Sequence, residues 1–136
     1  REGYRQYEVS NFARPGFESR HNQAYWTRTP FLGLGNSAHS FRGDRRRWNL
    51  RDWGAYQMAC GEGRRPWEEE VLTQEDVRLE EIWLGLRTLR GVRVPELGPG
   101  AQNTVDRWVL EGKASLSEGT VRLTPVGWLI LVDLAV

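Results

Sequence analysis

Apolar and polar residues alternate from Tyr4 to Ser10, with Tyr7 and Val9 set between Gln6, Glu8 and Ser10. That period of two predicts a strand. Pro15-Gly16 breaks it. Phe17 to Thr29 is polar without a clean period and reads as an irregular loop with at most a short turn of helix. Phe31 to Gly35 reads as a second strand, with Gly33 and Gly35 bracketing Leu34. Ser37 to Phe41 continues extended, Gly43-Asp44 gives a hairpin turn, and Arg46 to Leu50 returns. Arg51 to Cys60 has a helical pattern, with Asn49 as cap and Trp53, Tyr56, Gln57 and Cys60 on one side; Gly61 and Gly63 end it. Arg64 to Val71 reads as a connector through Pro66.

The pattern is cleaner from Leu72. Thr73 with Asp76 three residues on predicts a capped helix start. Leu79, Ile82, Trp83, Leu86 and Leu89 or Arg90 follow helical spacing up to Gly91. Val94 to Leu97 fits a short helical turn. Ala101 to Glu111 predicts a second helix with Val105, Trp108 and Val109 on one face. Ala114–Leu116 and Thr120–Leu123 predict a hairpin through Glu118-Gly119, and Thr124-Pro125 opens a last helix. Helix, helix, hairpin, helix is a winged-helix-like order.

Composition narrows the function. The 136 residues carry 19 Lys and Arg against 18 Asp and Glu, a net charge of +1, which gives no global attraction to nucleic acid or an anionic membrane. The second helix of the tail balances Asp106 and Glu111 against Arg107 and Lys113, so it has no basic stripe for DNA. The single cysteine, Cys60, forbids an intrachain disulfide, which fits a reducing cytosol. It also forbids an iron–sulfur cluster held by several thiolates of this chain. On a helix face Cys60 reads as a small core residue. The longest apolar run, Trp128 to Leu134, is far short of a membrane span. The abrupt opening, Arg1-Glu2-Gly3-Tyr4, reads as a cut through a larger protein.

Chemistry concentrates in His21-Asn22-Gln23-Ala24-Tyr25-Trp26 and in Leu32-Gly33-Leu34-Gly35-Asn36-Ser37-Ala38-His39-Ser40, which hold both histidines. An imidazole with two aromatic rings within six residues has the ingredients of a haem site: an axial ligand and flat walls. The competing reading is a surface histidine beside aromatics that anchor a loop, and residue types alone favour it. Gly33-x-Gly35 lacks the third glycine of a dinucleotide fingerprint and the lysine of a phosphate loop, so it reads as a tightly packed strand end. His39 reads as a structural histidine. Arg45-Arg46-Arg47 reads as a solvated hairpin face, or less simply as a contact to propionates or phosphates. Glu68 to Glu70 reads as a solvated linker.

Gly3 to Gly16, then Glu18 and the His21-Asn22-x-x-Tyr25-Trp26 and Leu32-to-Ser40 segments, resemble the radical SAM haem chaperones, relatives of oxygen-independent coproporphyrinogen III oxidase. Leu72-Thr73 to Glu80, Leu84-Gly85-Leu86-Arg87 and Leu123-Thr124-Pro125-x-Gly127 match the family more loosely. The resemblance implies an α+β chain: the last strands of a partial β/α barrel followed by a small helical, winged-helix-like domain. Residues 1–50 would end the barrel and carry the haem-binding loop, 51–71 would connect, and 72–136 would form the C-terminal domain. The 4Fe-4S cluster and S-adenosylmethionine of such a parent would be held mainly by an N-terminal barrel outside these residues, so this chain would not itself be catalytic. The resemblance further implies that His21 ligates haem, supported by Asn22, Tyr25 and Trp26, and that Ala38 and His39 contact S-adenosylmethionine. Haem and acceptor haemoproteins would be the partners. The true oxidases differ at the His-Asn-x-x-Tyr-Trp position; decarboxylation of coproporphyrinogen III by the parent is the alternative, and a stand-alone winged-helix-like binding module is another.

Overall fold

The computed structural model describes residues 3–129 and residue 131, and several strands are shorter than the alternation promised. Tyr4–Ser10 is not one strand. Arg5–Gln6 (β1) pairs antiparallel with Phe12–Ala13 (β2) and Glu8 makes an isolated bridge to Thr88; between them the Tyr7 N–H turns back to the Asn11 carbonyl at 3.1 Å. Phe31–Gly35 likewise contributes a single bridge, Phe31 to Phe41. Residues up to Trp26 and from Arg78 onward form one compact unit, and Thr27–Val77 another.

In the Thr27–Val77 unit, His39–Arg42 (β3), Arg45–Asn49 (β4) and Trp67–Val71 (β5) make an antiparallel sheet in the order β3-β4-β5. The hairpin at Gly43-Asp44 is as expected. The stretch read as a connector is instead β5, and its glutamates face the arginine run: Arg46 opposes Glu70, Arg47 opposes Glu69 and Trp48 opposes Glu68. Arg45 reaches Glu69 at 2.6 Å, Arg47 donates to the same carboxylate, and the Trp48 indole donates to Glu68 at 2.7 Å. Neither charge run is merely solvated, and opposite charges across a ladder stabilise it. The helix Trp53–Gly61 (α2) starts two residues later than predicted, because Asp52 rather than Asn49 caps it, accepting the Ala55 N–H at 2.8 Å. Its buried residue is Ala59; Cys60 is exposed, so the helix turns a neighbouring side chain inward and Cys60 is not a core residue.

Donation from Arg47, helped by the charges of Arg47 and Arg45, holds the Glu69 carboxyl below its ordinary value. A lowered carboxylate pKa contributes stability that is complete above the ordinary glutamate value and is lost as pH falls through the lowered one. Acid titration of the unit should therefore reduce its melting temperature below about pH 4.3, and Glu69→Gln should flatten that dependence. An acid profile identical in the two proteins would remove Glu69 from the account.

The other unit holds Arg20–Trp26 (α1), most of Gln74–Leu86 (α3), Val92–Arg93 (β6), a 3-10 turn over Val94–Leu97, Ala101–Leu110 (α4), Ala114–Ser117 (β7), Thr120–Leu123 (β8) and Pro125–Leu129 (α5). The predicted cap of α3 forms: the Thr73 hydroxyl donates to Asp76 at 2.7 Å, and the Asp76 N–H donates back to that hydroxyl at 3.1 Å. Leu86 is buried and Ile82 and Trp83 partly so, but Leu79 and Leu89 are about half exposed. On α4, Val105 and Trp108 are buried while Val109 is 39% exposed. The β7–β8 hairpin turns through Glu118 and Gly119, both at positive φ, the geometry of a tight two-residue connection. The short β6 was not expected; it pairs with β8 through Val92 and Val121, giving the order β6-β8-β7. Over this sheet lies the core: Leu86, Val92, Val105, Trp108, Ala114, Val121, Leu123, Trp128 and Leu131. The apolar run read as far as Leu134 passes outside the described residues. Among the described residues no helix is long and apolar enough to cross a membrane.

Candidate functional site

The segment read as an irregular loop contains α1, and the helix decides which candidate side chains meet. Ser19 caps it: its hydroxyl accepts the Asn22 N–H at 3.2 Å, satisfying one of the free amides of a helix start, and its carbonyl accepts the first helical bond, from the Gln23 N–H at 3.0 Å. Helical spacing then places His21 and Tyr25 one turn apart on one face and Asn22 and Trp26 on another. His21 and Tyr25 are exposed, and their rings meet edge to face, 4.9 Å between centroids at 87°. This geometry is favourable for aromatic pairs, and it fixes the imidazole relative to the phenol. Among the described residues neither ring nitrogen of His21 takes a hydrogen bond, so both remain open to a ligand. Asn22 and Trp26 are half-buried. Trp26 lays its ring against the Arg87 guanidinium, 5.1 Å from the centroid.

Ala38 and His39 lie in the other unit. Ala38 is half-buried and its backbone is pinned: its N–H reaches the Gly35 carbonyl at 3.4 Å, and its carbonyl accepts the Asn49 N–H at 2.9 Å. His39 is exposed on β3, opposite Trp48. Gly33 serves close approach, while Gly35 sits in open space at a φ of 92°. A Cβ on Gly33 would overlap the His39 carbonyl and crowd the Ala38 methyl, while the Gly33 N–H donates to the Ser40 hydroxyl at 3.0 Å. The close packing expected from spacing is present at Gly33, but in irregular chain after the single Phe31 bridge rather than at the end of a strand.

The site on α1 is a surface face. Two sizeable cavities are lined by other residues: a cleft of about 480 Å³ beside Phe31, Arg42 and Arg45, and a groove of about 620 Å³ between Trp83 and Trp108. Among the described residues no three His, Cys, Asp or Glu side chains gather into a metal-holding group. An axial imidazole on a porphyrin iron needs no such group, only one free nitrogen and an apolar wall. His21 and Tyr25 supply these on one side, so the residues present fit a haem held at an open face. Sequence reasoning missed Ser19 and Arg87. The first had a readable signal, a serine just before the motif; the second had none, because its partner is distant in sequence.

The fold matches part of a solved radical SAM enzyme. The solved structure of the Escherichia coli radical SAM enzyme coproporphyrinogen III oxidase (HemN) superposes with a TM-score of 0.70 over 98% of this chain and 36% of its own, at 20% identity. The sequence relatives are more particular. Heme chaperone HemW of Bacillus subtilis is 40% identical over 92 residues, 66% of this chain and 24% of its own length. Heme chaperone HemW of Mycobacterium tuberculosis is 30% identical over 129 residues, 94% of this chain and 33% of its own. The mitochondrial radical S-adenosyl methionine domain-containing protein 1 of Bos taurus is 36% identical over 101 residues, 66% of this chain and 22% of its own. No family model matches. The chain is thus a homologue of the radical SAM haem chaperones and spans a third or less of the length of these relatives.

Proposed function

We propose that this chain is the C-terminal part of a cytoplasmic haem chaperone of the radical SAM family, taking haem at His21 and passing it to acceptor haemoproteins. In this reading residues 1–50 end the barrel, residues 51–71 connect, and residues 72–136 form a winged-helix-like domain. The observation that carries it is the exposed pair His21 and Tyr25, one turn apart on α1, with both imidazole nitrogens open. His21 would ligate the iron and Tyr25 would flank the macrocycle. Asn22 and Trp26 would hold the helix that presents them. An open face suits a carrier, because cargo that must leave again is not enclosed. Ala38 and His39 would face S-adenosylmethionine in the complete barrel, and the 4Fe-4S cluster would be held by residues outside this chain. The second reading, a parent oxidase of coproporphyrinogen III, is favoured by the fold likeness to the Escherichia coli enzyme and opposed by the Bacillus subtilis and Mycobacterium tuberculosis relatives, whose names are those of haem chaperones.

Titration of haemin into the protein, followed in the Soret band, tests the proposal. His21→Ala should weaken binding by at least about tenfold, the lower end of what losing even an outer partner of a metal ligand costs, and should change the spectrum. His39→Ala should leave both unchanged. Equal affinity and spectrum in His21→Ala would overturn the assignment.

A further inference from the structure

Arg87 is the first residue beyond α3, and four contacts converge on it. Its N–H donates to the Trp83 carbonyl at 3.2 Å, completing the last helical turn, and its own carbonyl accepts the Val9 N–H at 3.0 Å. Its guanidinium lies 5.8 Å from the Trp83 ring centroid and 5.1 Å from that of Trp26. Trp83 and Arg87 are four apart, so the helix itself lays the cation along the first indole. The second indole closes on that cation from α1. A planar, weakly hydrated guanidinium suits this position as an ammonium does not.

Trp26 has no other polar tether. Its indole N–H is buried and, among the described residues, finds no acceptor, so the ring is held through its face. Trp26 is also the last residue of α1, one turn beyond Asn22 and next to Tyr25. A helix of seven residues is too short to be stable alone, and none of its own residues is fully buried. The cap at Ser19 at one end and the stack on Arg87 at the other both bear on its rotation, and therefore on which side shows His21.

We infer that Arg87, held between Trp26 and Trp83, is the positioning residue of the histidine-bearing helix and sets the affinity of His21 for its haem. This rests on the haem reading of His21. Arg87 does not touch the ligand; it acts through Trp26.

Haemin titrations of Arg87→Gln, Arg87→Lys, His21→Ala and the Arg87→Gln/His21→Ala double variant test it, with acrylamide quenching of tryptophan fluorescence as a second readout. Arg87→Gln should bind about tenfold more weakly, within the range of a desolvated cation–π contact, with an unchanged Soret maximum because the iron ligand is the same. Tryptophan quenching should rise. Arg87→Lys should recover part of the affinity. In the double variant the Arg87 change should add nothing, since there is no imidazole left to position. Full affinity in Arg87→Gln beside lost affinity in His21→Ala would overturn this inference and leave the haem reading standing. Full affinity in both would overturn both. Should Arg87→Gln not fold, Trp26→Leu and Trp26→Phe carry the same question: Leu should lose affinity and Phe, which keeps a ring face, should retain most of it. Equal affinities in that pair would also overturn the inference.

Discussion

Trp128→Ala is expected to lower stability by about 3–5 kcal/mol, the usual result of deleting a buried aromatic, with a further ~1–3 kcal/mol from a stranded acceptor. The ring is 5% exposed within the core cluster and its indole N–H donates to the Leu86 carbonyl at 2.8 Å. Leu86 is the last residue of α3, so its carbonyl belongs to the group that a helix end leaves unpaired. One side chain of α5 therefore fills the core and closes the end of a helix 42 residues away in sequence. Against a domain stability of about 5–15 kcal/mol, the loss is a large fraction of the whole. Trp128→Phe separates the two contributions, because it keeps most of the volume and loses the donor; it should cost about 1–3 kcal/mol. Urea denaturation measures both, and a Trp128→Ala protein within about 1 kcal/mol of the parent would show that the core does not depend on this ring.

Gly91→Ala should be nearly as severe, for a reason of backbone rather than volume. Gly91 has a φ of 72°, and a Cβ there would overlap the Val121 carbonyl and stand 2.6 Å from Cγ of Arg122. The left-handed conformation alone costs an alanine about 1–2 kcal/mol. The overlap adds about 1–3 kcal/mol of overpacking, because the obstructing atom is strand backbone and cannot swing aside. Relief would come by displacing β8, which breaks the Val92–Val121 pairing. Gly119→Ala is the control: φ is 73° but the space is open, so only the conformational cost applies. Hydrogen exchange should show lost protection at β6 and β8 in Gly91→Ala and not in Gly119→Ala. Equal destabilisation by the two substitutions would mean the close approach at Gly91 is immaterial.

What could be read from the sequence follows how local each interaction is. The cap at Thr73 and Asp76, the turn at Glu118 and Gly119, and the start of α5 at Thr124-Pro125 are each decided within four residues, and all were legible. The fate of Glu68–Glu70 was not. Three glutamates in a row have poor strand propensity, and they become a strand because arginines more than twenty residues earlier neutralise them from across the ladder. The two-residue β6 carries too little pattern to show a period, and α1 mixes histidine, asparagine and two aromatics without an apolar stripe. At the candidate site the residue types were visible in the sequence. Their division into an exposed pair, His21 with Tyr25, and an anchoring pair, Asn22 with Trp26, required the helix. The partner of the anchor, Arg87, required the tertiary fold.

The facing runs of arginine and glutamate in β4 and β5 have one more implication. Each run is uniform, so sliding one strand past the other by a residue would still set cations against carboxylates. Attraction of that kind supplies adhesion but no phase. The phase must come from the ends, where the Leu50 N–H meets the Pro66 carbonyl at 2.8 Å and the Leu72 N–H meets the Asp44 carbonyl at 2.8 Å, and from the Trp48 indole on Glu68. Exchanging Arg45 or Arg46 for lysine should therefore be tolerated, whereas Arg47 also stacks its guanidinium on the Trp67 ring, 5.3 Å from the centroid, and a lysine there should cost more. A one-residue deletion in the stretch from Leu50 to Pro66 could be absorbed by a shift that keeps the charges paired but turns every side chain of β5 to the opposite face.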